Sequence, residues 1–439
     1  MKDTPIPYEI VKQKIVESGL SKVGRATIRE IVRLVNEIEA ATGKKFIRME
    51  MGVPGIEPAQ VGIDAEIQAL KNGVASKYPM IDGVPILKKE ISRFVKNFIN
   101  IDVDEKCCIP TVGSMQGGMA SFLLTNRLFK EKDTVLFIDP GFPVQKQQLK
   151  VLGMKYETFD VYNHRGDKLK AKLESYLEKG NISTILYSNP NNPSWICFTE
   201  KELQIIGELS TKYDVVVIED LAYFAMDFRT DLSKPGAAPY QLSVANYSKN
   251  WIMLISSSKA FSYAGQRIGC MVVSNDLYKR RFPDLKRFFS SDEFGYAMIY
   301  GAVYSLSSGT CHSAQYGLAA MLKAANDGTF DFVASVREYG AKAKIMKHLF
   351  VENGFSLVYN MDEDKPLADG FYFTISYPGF SGEDLIDELF FYGISAISLL
   401  ITGSERTEGL RACVSQVQRS QFVDLETRLK QFHLDHPVK

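Results

Sequence analysis

Residues 251–269 read WIMLISSSKAFSYAGQRIG, and this stretch decides how the rest of the chain is interpreted. The apolar run at 251–255 is typical of a strand buried on both faces of a mainly parallel sheet. Serines follow it directly, then Lys259 and, eight residues further on, Arg267. A lone lysine in a loop is usually solvated, as we expect for Lys249. Two cations beside the end of a buried strand instead indicate that anionic partners meet there.

Other apolar runs of the same kind lie on both sides of this stretch. They are residues 134–138, 183–187, 215–218 and 269–274. Longer segments with apolar residues at helical spacing accompany them, at 25–42, 87–98 and 422–432. Strands that alternate with helices predict an α/β fold, in which helices cover both faces of a mostly parallel sheet in a three-layer sandwich.

The length of 439 residues predicts more than one structural unit, because single hydrophobic cores stop growing below this size. We expect a large central domain over residues 56–320. Residues 1–55 and 321–439 should together form a smaller domain.

Composition excludes several classes of function. Lysine plus arginine and aspartate plus glutamate each count 52, so no basic surface is expected for nucleic acid or an anionic membrane. The amino terminus lacks the apolar stretch of a secretory signal. The longest uncharged apolar run, 390–403, is shorter than the ~20 residues that span a bilayer. We therefore expect a cytoplasmic protein with neither of those partners.

Cysteine and histidine usage predicts no metal site. Six cysteines without paired spacing indicate free thiols in a reducing compartment. His433 and His436 have no further ligand nearby, which favours a solvated tail over a metal pair.

Ligands of open α/β sheets bind outside the carboxyl ends of the strands, so the residues after each apolar run belong together. After Pro110, a glycine-rich turn containing Ser114 and Met115 leads into a helix whose free N–H groups suit a phosphate. Phe142 follows the run at 134–138 and is able to stack on a flat ring. Taken singly, a plain tight turn and a core aromatic ring explain these features equally well.

Two further strand ends carry polar side chains. The run ending at residue 187 continues as SNPNNPS, which offers Asn192 as the partner of a ring oxygen. The run at 215–218 ends in Glu219 and Asp220, with Tyr223 three residues on. A carboxylate beside a buried strand is costly unless a cation meets it, and an ordinary buried ion pair is the alternative explanation.

Together these strand ends supply a phosphate cradle, a stacking face, an oxygen partner, a carboxylate and a lysine. This set suits pyridoxal phosphate. Lys259 would form the Schiff base, Asp220 would keep the pyridine nitrogen protonated, and Arg267 would pair with the phosphate.

The ordered motifs Ser-Met-Gln after Thr-Val-Gly, Asn-Asn-Pro, Asp-x-x-Tyr, Ser-x-x-Lys and Arg-x-Gly resemble those of the fold-type I aminotransferases of classes I and II. The resemblance extends over most of the chain. It implies the pyridoxal-phosphate transferase type I fold, with a seven-stranded, mostly parallel sheet and a smaller α+β domain. It also implies a biosynthetic homodimer whose active sites lie at the subunit boundary.

The resemblance also implies roles for single residues. The cofactor's phosphate would be bound by Ser114, Met115, Ser256 and, from the neighbouring subunit, Tyr78; its ring by Phe142; its phenolic oxygen by Asn192 and Tyr223. The substrate would meet the backbone of Gly52, the side chain of Asn192 and Arg411, whose planar fork suits an α-carboxylate. A surface ion pair is the alternative explanation for Arg411.

Two departures from the family pattern affect the substrate side. The family commonly has Asn-Pro-Thr-Gly where this chain has Trp195 in the glycine position, so the turn must accommodate an indole. The segment 281–310 looks longer than usual, and no arginine in 305–313 is available for a second carboxylate. Phe261 and Tyr263, with the indole, hint at an apolar or aromatic substrate side chain.

The function expected from the sequence is amino transfer between an amino acid and a 2-oxo acid. A lyase on the same fold, such as a carbon–sulfur lyase or a cyclopropane-forming enzyme like ACC synthase, would share every residue named so far. A non-catalytic ligand sensor is a further alternative. Such regulators usually add a DNA-binding module, for which this neutral chain has neither room nor charge.

Overall fold

A computed structural model describes residues 4–438. The strands are β1 (Ile47–Arg48), β2 (Cys108–Thr111), β3 (Thr134–Asp139), β4 (Lys155–Asp160), β5 (Ile182–Ser188), β6 (Val216–Leu221), β7 (Trp251–Ser256), β8 (Gly269–Val273), β9 (Ser356–Leu357), β10 (Met361–Asp362), β11 (Lys365–Pro366), β12 (Tyr372–Ser376), β13 (Ile394–Ser395), β14 (Ile397–Ser398) and β15 (Leu410–Cys413).

The helices of the same region are α1 (Tyr8–Glu17), α2 (Ile28–Thr42), α3 (Gln60–Lys71), α4 (Pro85–Ile99), α5 (Gly113–Thr125), α6 (Pro143–Val151), α7 (Lys168–Leu177), α8 (Glu200–Lys212), α9 (Ser257–Ala260), α10 (Asn275–Lys279), α11 (Phe294–Tyr296), α12 (Tyr304–Ser307), α13 (His312–Asn326), α14 (Phe332–Glu352), α15 (Gly382–Leu389) and α16 (Phe422–Asp435). The three helices predicted from apolar spacing are confirmed as α2, α4 and α16.

The central sheet has seven strands in the order β2-β8-β7-β6-β5-β3-β4. Strand β8 runs antiparallel to both of its neighbours, and the other pairs are parallel. The predicted mostly parallel sheet is confirmed, and each of the five apolar runs forms one of its strands.

The sheet is the middle layer of a three-layer sandwich. Neighbouring residues of one strand join different hydrophobic clusters: Val216 and Ile218 lie in one, and Val217 lies in the other. Side chains alternate across a strand, so each cluster fills the space between one face of the sheet and its helices. Burial on both faces explains why these strands read as continuous apolar runs.

A second, antiparallel sheet of order β14-β15-β12-β9 forms the core of the smaller part. The amino-terminal segment joins it, because β1 pairs in parallel with β13 and the Tyr8 ring stacks on Phe391 at 4.4 Å. The division at residues 55 and 320 stays a prediction. Helix α13 spans residue 320 and packs on α3 and α4, and we propose that the second boundary lies after this helix.

The carboxyl-terminal histidines are half-buried and hydrogen-bonded, so the prediction of a solvated tail was wrong for them. The Tyr377 hydroxyl and His433 Nδ1 lie 2.8 Å apart, and His436 Nε2 lies 3.0 Å from a Glu388 oxygen. Both rings lie on or next to α16, and they link this helix to the residue after β12 and to α15. No helix within residues 4–438 is long and apolar enough to cross a membrane.

Candidate active site

The strand ends singled out in the sequence meet at one edge of the central sheet. Register pairs Ser188 with Asp220 across β5 and β6, and Ser256 with Gly269 across β7 and β8. Gly269 in turn pairs with Thr111, the last residue of β2. Parallel strands thus bring segments that are far apart in sequence to one crevice, as predicted.

Lys259 lies in the short helix α9, which begins directly after β7. Its Nζ donates to the carbonyl oxygen of Gly52 and lies 5.4 Å from the centre of the Phe371 ring. Desolvation lowers the pKa of Lys259 to about 8, and the Arg411 and Arg267 cations act in the same direction. A larger share of this amine is therefore neutral near physiological pH than of an ordinary lysine, which is the form that attacks a carbonyl.

Asp220 presents a buried carboxylate that has no salt bridge among the described residues. One oxygen accepts from Gln145 Nε2 at 2.8 Å and the other from the Ala222 N–H at 3.2 Å. Burial raises the pKa of Asp220 to about 6, against which these two neutral donors act. The ordinary buried ion pair weighed above is thus absent here, and a protonated ring nitrogen would supply the missing positive charge.

The start of α5 offers an anion site. Its first N–H groups have no side-chain cap, because the N-cap residue Val112 has an apolar side chain; the Val112 N–H itself donates to Gln116 Oε1 at 2.7 Å. Gly113 has φ +63°, and a Cβ at this position would lie 2.7 Å from Arg267 Nη2, so the guanidinium lies directly at the helix start. Arg267 forms no salt bridge with the described residues, and free N–H groups beside an unpaired cation suit a phosphate.

Three further predicted phosphate ligands lie at the same edge. Ser114 and Met115 form the first turn of α5 and are half-buried. Ser256 is buried, and its Oγ accepts from the Ser258 N–H at 3.1 Å, where it caps α9. Its hydroxyl proton is therefore left to donate to another group.

Arg411 on β15 is buried and is not the surface ion pair weighed above. Its Nη1 donates to Asn192 Oδ1 at 3.1 Å and its Nη2 to the Glu50 carbonyl at 2.6 Å. Its Nε has no hydrogen-bond partner within residues 4–438, and no carboxylate there neutralises it. A buried guanidinium with only neutral partners can accept a carboxylate ligand.

Tyr223 and Tyr372 form a buried pair beside this arginine. Their hydroxyl oxygens lie 2.7 Å apart, and the Arg411 guanidinium carbon lies 4.4 Å from the centre of the Tyr372 ring. Sequence reasoning found Tyr223 but missed Tyr372, Phe371 and Gln145. None of the three lies in a motif; Tyr372 begins β12 of the smaller sheet, and Phe371 directly precedes it.

Trp195 keeps the backbone conformation of the glycine it replaces in the family pattern. Its φ is +66°, a value that favours glycine, and its ring is buried. The indole contacts the rings of Tyr223 and Tyr372 edge-on at 5.4 and 6.1 Å. A Cβ at Gly370 would lie 2.1 Å from the indole. The absence of a side chain at Gly370 therefore leaves the space that the ring occupies.

The aromatic hint about the substrate is not supported by these positions. Phe261 stacks on Phe332 at 5.0 Å in the hydrophobic core. The Tyr263 hydroxyl donates to the buried Glu66. Since Trp195 is also packed in the core, these rings are interior supports and give no information on the substrate.

The remaining predicted residues lie at the periphery. Phe142 caps α6 and is half-buried, without a ring–ring contact among the described residues. Tyr78 is 95% exposed on the single chain. The segment 281–310 folds into short helical pieces and a π-helical turn, Ala297–Val303, which packs on α5.

Comparison with known proteins agrees with this geometry. Residues 44–359 match the family described as aminotransferase class I and II. A probable aspartate aminotransferase of Methanocaldococcus jannaschii is 24% identical over 80% of this chain and 82% of its own length. An LL-diaminopimelate aminotransferase of Natranaerobius thermophilus is 27% identical, over 54% of this chain and 60% of its own.

Solved structures share the fold. An alanine aminotransferase from Pyrococcus furiosus superposes with a TM-score of 0.75 at 19% identity, over 96% of this chain and 99% of its own. An aspartate aminotransferase from Thermotoga maritima gives 0.74 at 16% identity, over the same shares of the two chains. The expected fold type is confirmed.

Proposed function

The chain belongs to the class I and II aminotransferase family, and we propose that it moves an amino group between an amino acid and a 2-oxo acid with pyridoxal phosphate attached to Lys259. The observation that carries the proposal is that a half-buried amine and a buried carboxylate lie at the same edge of the central sheet. Lys259 has a lowered pKa, and Asp220 has no cationic partner among the described residues. Pyridoxal phosphate has a matching group for each: an aldehyde for the amine of Lys259 and a protonated ring nitrogen for the carboxylate of Asp220.

The cofactor site is proposed from the groups around these two. Arg267 and the N–H groups of Ser114 and Met115 would bind the phosphate, with Ser256 as a further donor. Asp220 would hold a proton on the ring nitrogen. Pyridoxal phosphate supplies an aldehyde that captures amines and a ring that accepts electrons from the substrate's α-carbon.

The remaining cofactor contacts involve residues from three loops. Phe142 would stack on the ring, and Tyr223 and Asn192 would donate to its phenolic oxygen. Asn192 can do so because Arg411 occupies only its side-chain carbonyl, which leaves the amide N–H groups free.

Substrate binding and proton transfer fall to two residues. Arg411 would bind the α-carboxylate of the substrate and so fix the orientation of its α-carbon. Lys259 Nζ, once released by the incoming amine, would take the α-proton and return it to the cofactor side. Gly52 lies against this amine through its carbonyl, and a side chain at this position would collide with Tyr372.

We also propose a cytoplasmic, biosynthetic homodimer. Tyr78 projects from the single chain, as a residue that reaches a neighbouring subunit's phosphate must do. Met80, Tyr296, Tyr300 and Tyr304 are likewise exposed, and a subunit interface would cover them. The two relatives named above are described as aspartate and LL-diaminopimelate aminotransferases. The amino donor of this chain has to be identified by experiment.

The test is a panel of amino donors mixed with the cofactor-loaded protein, followed by its absorbance. Productive donors should convert the coloured form, and 2-oxoglutarate should then restore it while glutamate and a new 2-oxo acid appear in equal amounts. Lys259→Ala should abolish both changes, whereas Lys249→Ala, at an exposed lysine, should keep them. Release of ammonia or a thiol in place of glutamate would identify a lyase and overturn the proposal.

A further inference from the structure

The hydroxyl pair of Tyr223 and Tyr372 links the two halves of the proposed site. Tyr223 follows β6 of the central sheet, and Tyr372 begins β12 of the smaller sheet. Both side chains are buried, and their oxygens lie 2.7 Å apart. This contact therefore connects the smaller sheet to Tyr223, the residue proposed to contact the cofactor.

The other side of Tyr372 faces the residue proposed to bind the substrate. The Arg411 guanidinium lies over the ring at 4.4 Å, which is within cation–π distance. Gly52 packs against the Tyr372 hydroxyl so closely that a Cβ there would lie 2.2 Å from it. Tyr372 is thus held by three neighbours and has little freedom to turn away.

We infer that Tyr372 is a positioning residue: its hydroxyl donates to Tyr223 and so directs the Tyr223 proton toward the cofactor, while its ring holds Arg411 in place for the substrate carboxylate. This inference rests on the proposed function. Neither part requires contact between Tyr372 and substrate or cofactor.

The direction of the hydrogen bond follows from the proposed role of Tyr223. Burial raises the pKa of Tyr372 to about 12, and Arg411 opposes this rise while the Cys413 thiol adds to it. Burial also raises the pKa of Tyr223 well above its usual value, and its neighbour Tyr372 adds to that rise, so both phenols keep their protons. Each hydroxyl has a single proton, so when Tyr223 donates its proton to the cofactor's phenolic oxygen, as proposed above, Tyr372 must be the donor of the bond between the two phenols.

Tyr372→Phe removes the hydroxyl and keeps the ring. With Tyr223 a weaker donor, more negative charge stays on the cofactor's phenolic oxygen and holds the neighbouring proton more tightly. The pH midpoint of the coloured, loaded enzyme should then rise by about half a unit to one unit. Tyr377→Phe is the matched control, because it removes another buried hydroxyl from the same region, one bonded to His433.

A double-mutant cycle decides whether the effect passes through Tyr223. Tyr223→Phe alone should raise the midpoint at least as much, and adding Tyr372→Phe to it should change nothing further. Additive shifts in the double variant, or a shift in Tyr372→Phe no larger than in the Tyr377→Phe control, would overturn the inference. Urea denaturation of each variant measures its loss of stability, which separates a general folding defect from a change at the cofactor.

The ring has its own test. Tyr372→Leu should weaken binding of propionate, used as a simple carboxylate probe, about three- to tenfold, whereas Tyr372→Phe should leave it unchanged. Equal propionate affinity in Tyr372→Leu and wild type would overturn this half. A wild-type protein that takes up no pyridoxal phosphate would instead refute the proposed function, so the two failures are distinguishable.

Discussion

Asp220→Asn should stabilise the cofactor-free protein while it abolishes the cofactor's benefit. The carboxylate is buried with two neutral hydrogen-bond donors, and no cation among the described residues offsets its charge. An asparagine of the same shape carries no charge, and its oxygen can accept from the Ala222 N–H while the Gln145 amide turns its own oxygen toward the asparagine NH2. In the loaded enzyme the same change removes the anion proposed to hold a proton on the ring nitrogen.

The size of the effect follows from the pKa. Burial raises the pKa of Asp220 from 3.8 to about 6, so the folded state binds a proton more tightly than the unfolded state. The free energy of unfolding therefore falls by about 3 kcal/mol as pH rises from about 4 to about 6, which corresponds to about two pKa units. Above about pH 6 this contribution is constant. Asp220→Asn has no carboxyl group at this position and should not show this fall in stability. Its advantage should be absent below about pH 4 and complete above about pH 6.

Urea denaturation of the cofactor-free proteins at several pH values measures this advantage, and repetition with pyridoxal phosphate measures the cofactor's contribution. Glu219→Gln is the matched control. Glu219 is the preceding residue on the other face of β6, and burial raises its pKa to about 7. This control should also be stabilised without cofactor, yet keep the full gain on loading. An Asp220→Asn variant that is less stable than wild type without cofactor, or equally stabilised by loading, would refute the reasoning.

Three further changes test other parts of the site. The rate of pyridoxal phosphate capture, followed by stopped-flow absorbance, should rise with pH and level off near pH 8, because only the neutral amine of Lys259 attacks and burial lowers its pKa to about 8. A rate that keeps rising toward the ordinary lysine pKa of 10.5 would contradict this. Arg411→Lys should lower kcat/KM about ten- to hundredfold, since a point charge replaces a planar fork. The control is Arg428→Lys, at another buried arginine, which is bound to the Gly393 carbonyl; it should leave steady-state kinetics unchanged. Trp195→Gly should lower the free energy of unfolding by about 3–5 kcal/mol, because the cavity outweighs relief of the positive φ; unchanged urea unfolding would refute that balance.

The sequence was sufficient for the parts of the site that follow strands. Buried parallel strands read as apolar runs, and their carboxyl ends meet at one edge, so Asp220, Asn192 and Lys259 were expected to converge. All three lie at or next to that edge in the structure. Their chemical roles remain proposals until the cofactor is bound.

The contacts from the smaller sheet were beyond sequence reasoning. Tyr372 and Phe371 follow a glycine in an unremarkable stretch, and only the packing of one sheet on the other brings them to Lys259 and Tyr223. Aromatic letters were also misleading: Phe261 is a core ring, although its nearness to Lys259 in the sequence suggested a pocket wall. Local patterns do not reveal which face of a loop turns inward.

The most direct test of the central claim is reduction of the cofactor-treated protein with borohydride, followed by mass-spectrometric mapping of its peptides. The account predicts one stoichiometric pyridoxyl group, on Lys259. Label spread over exposed lysines such as Lys249, or no stable label at all, would contradict it.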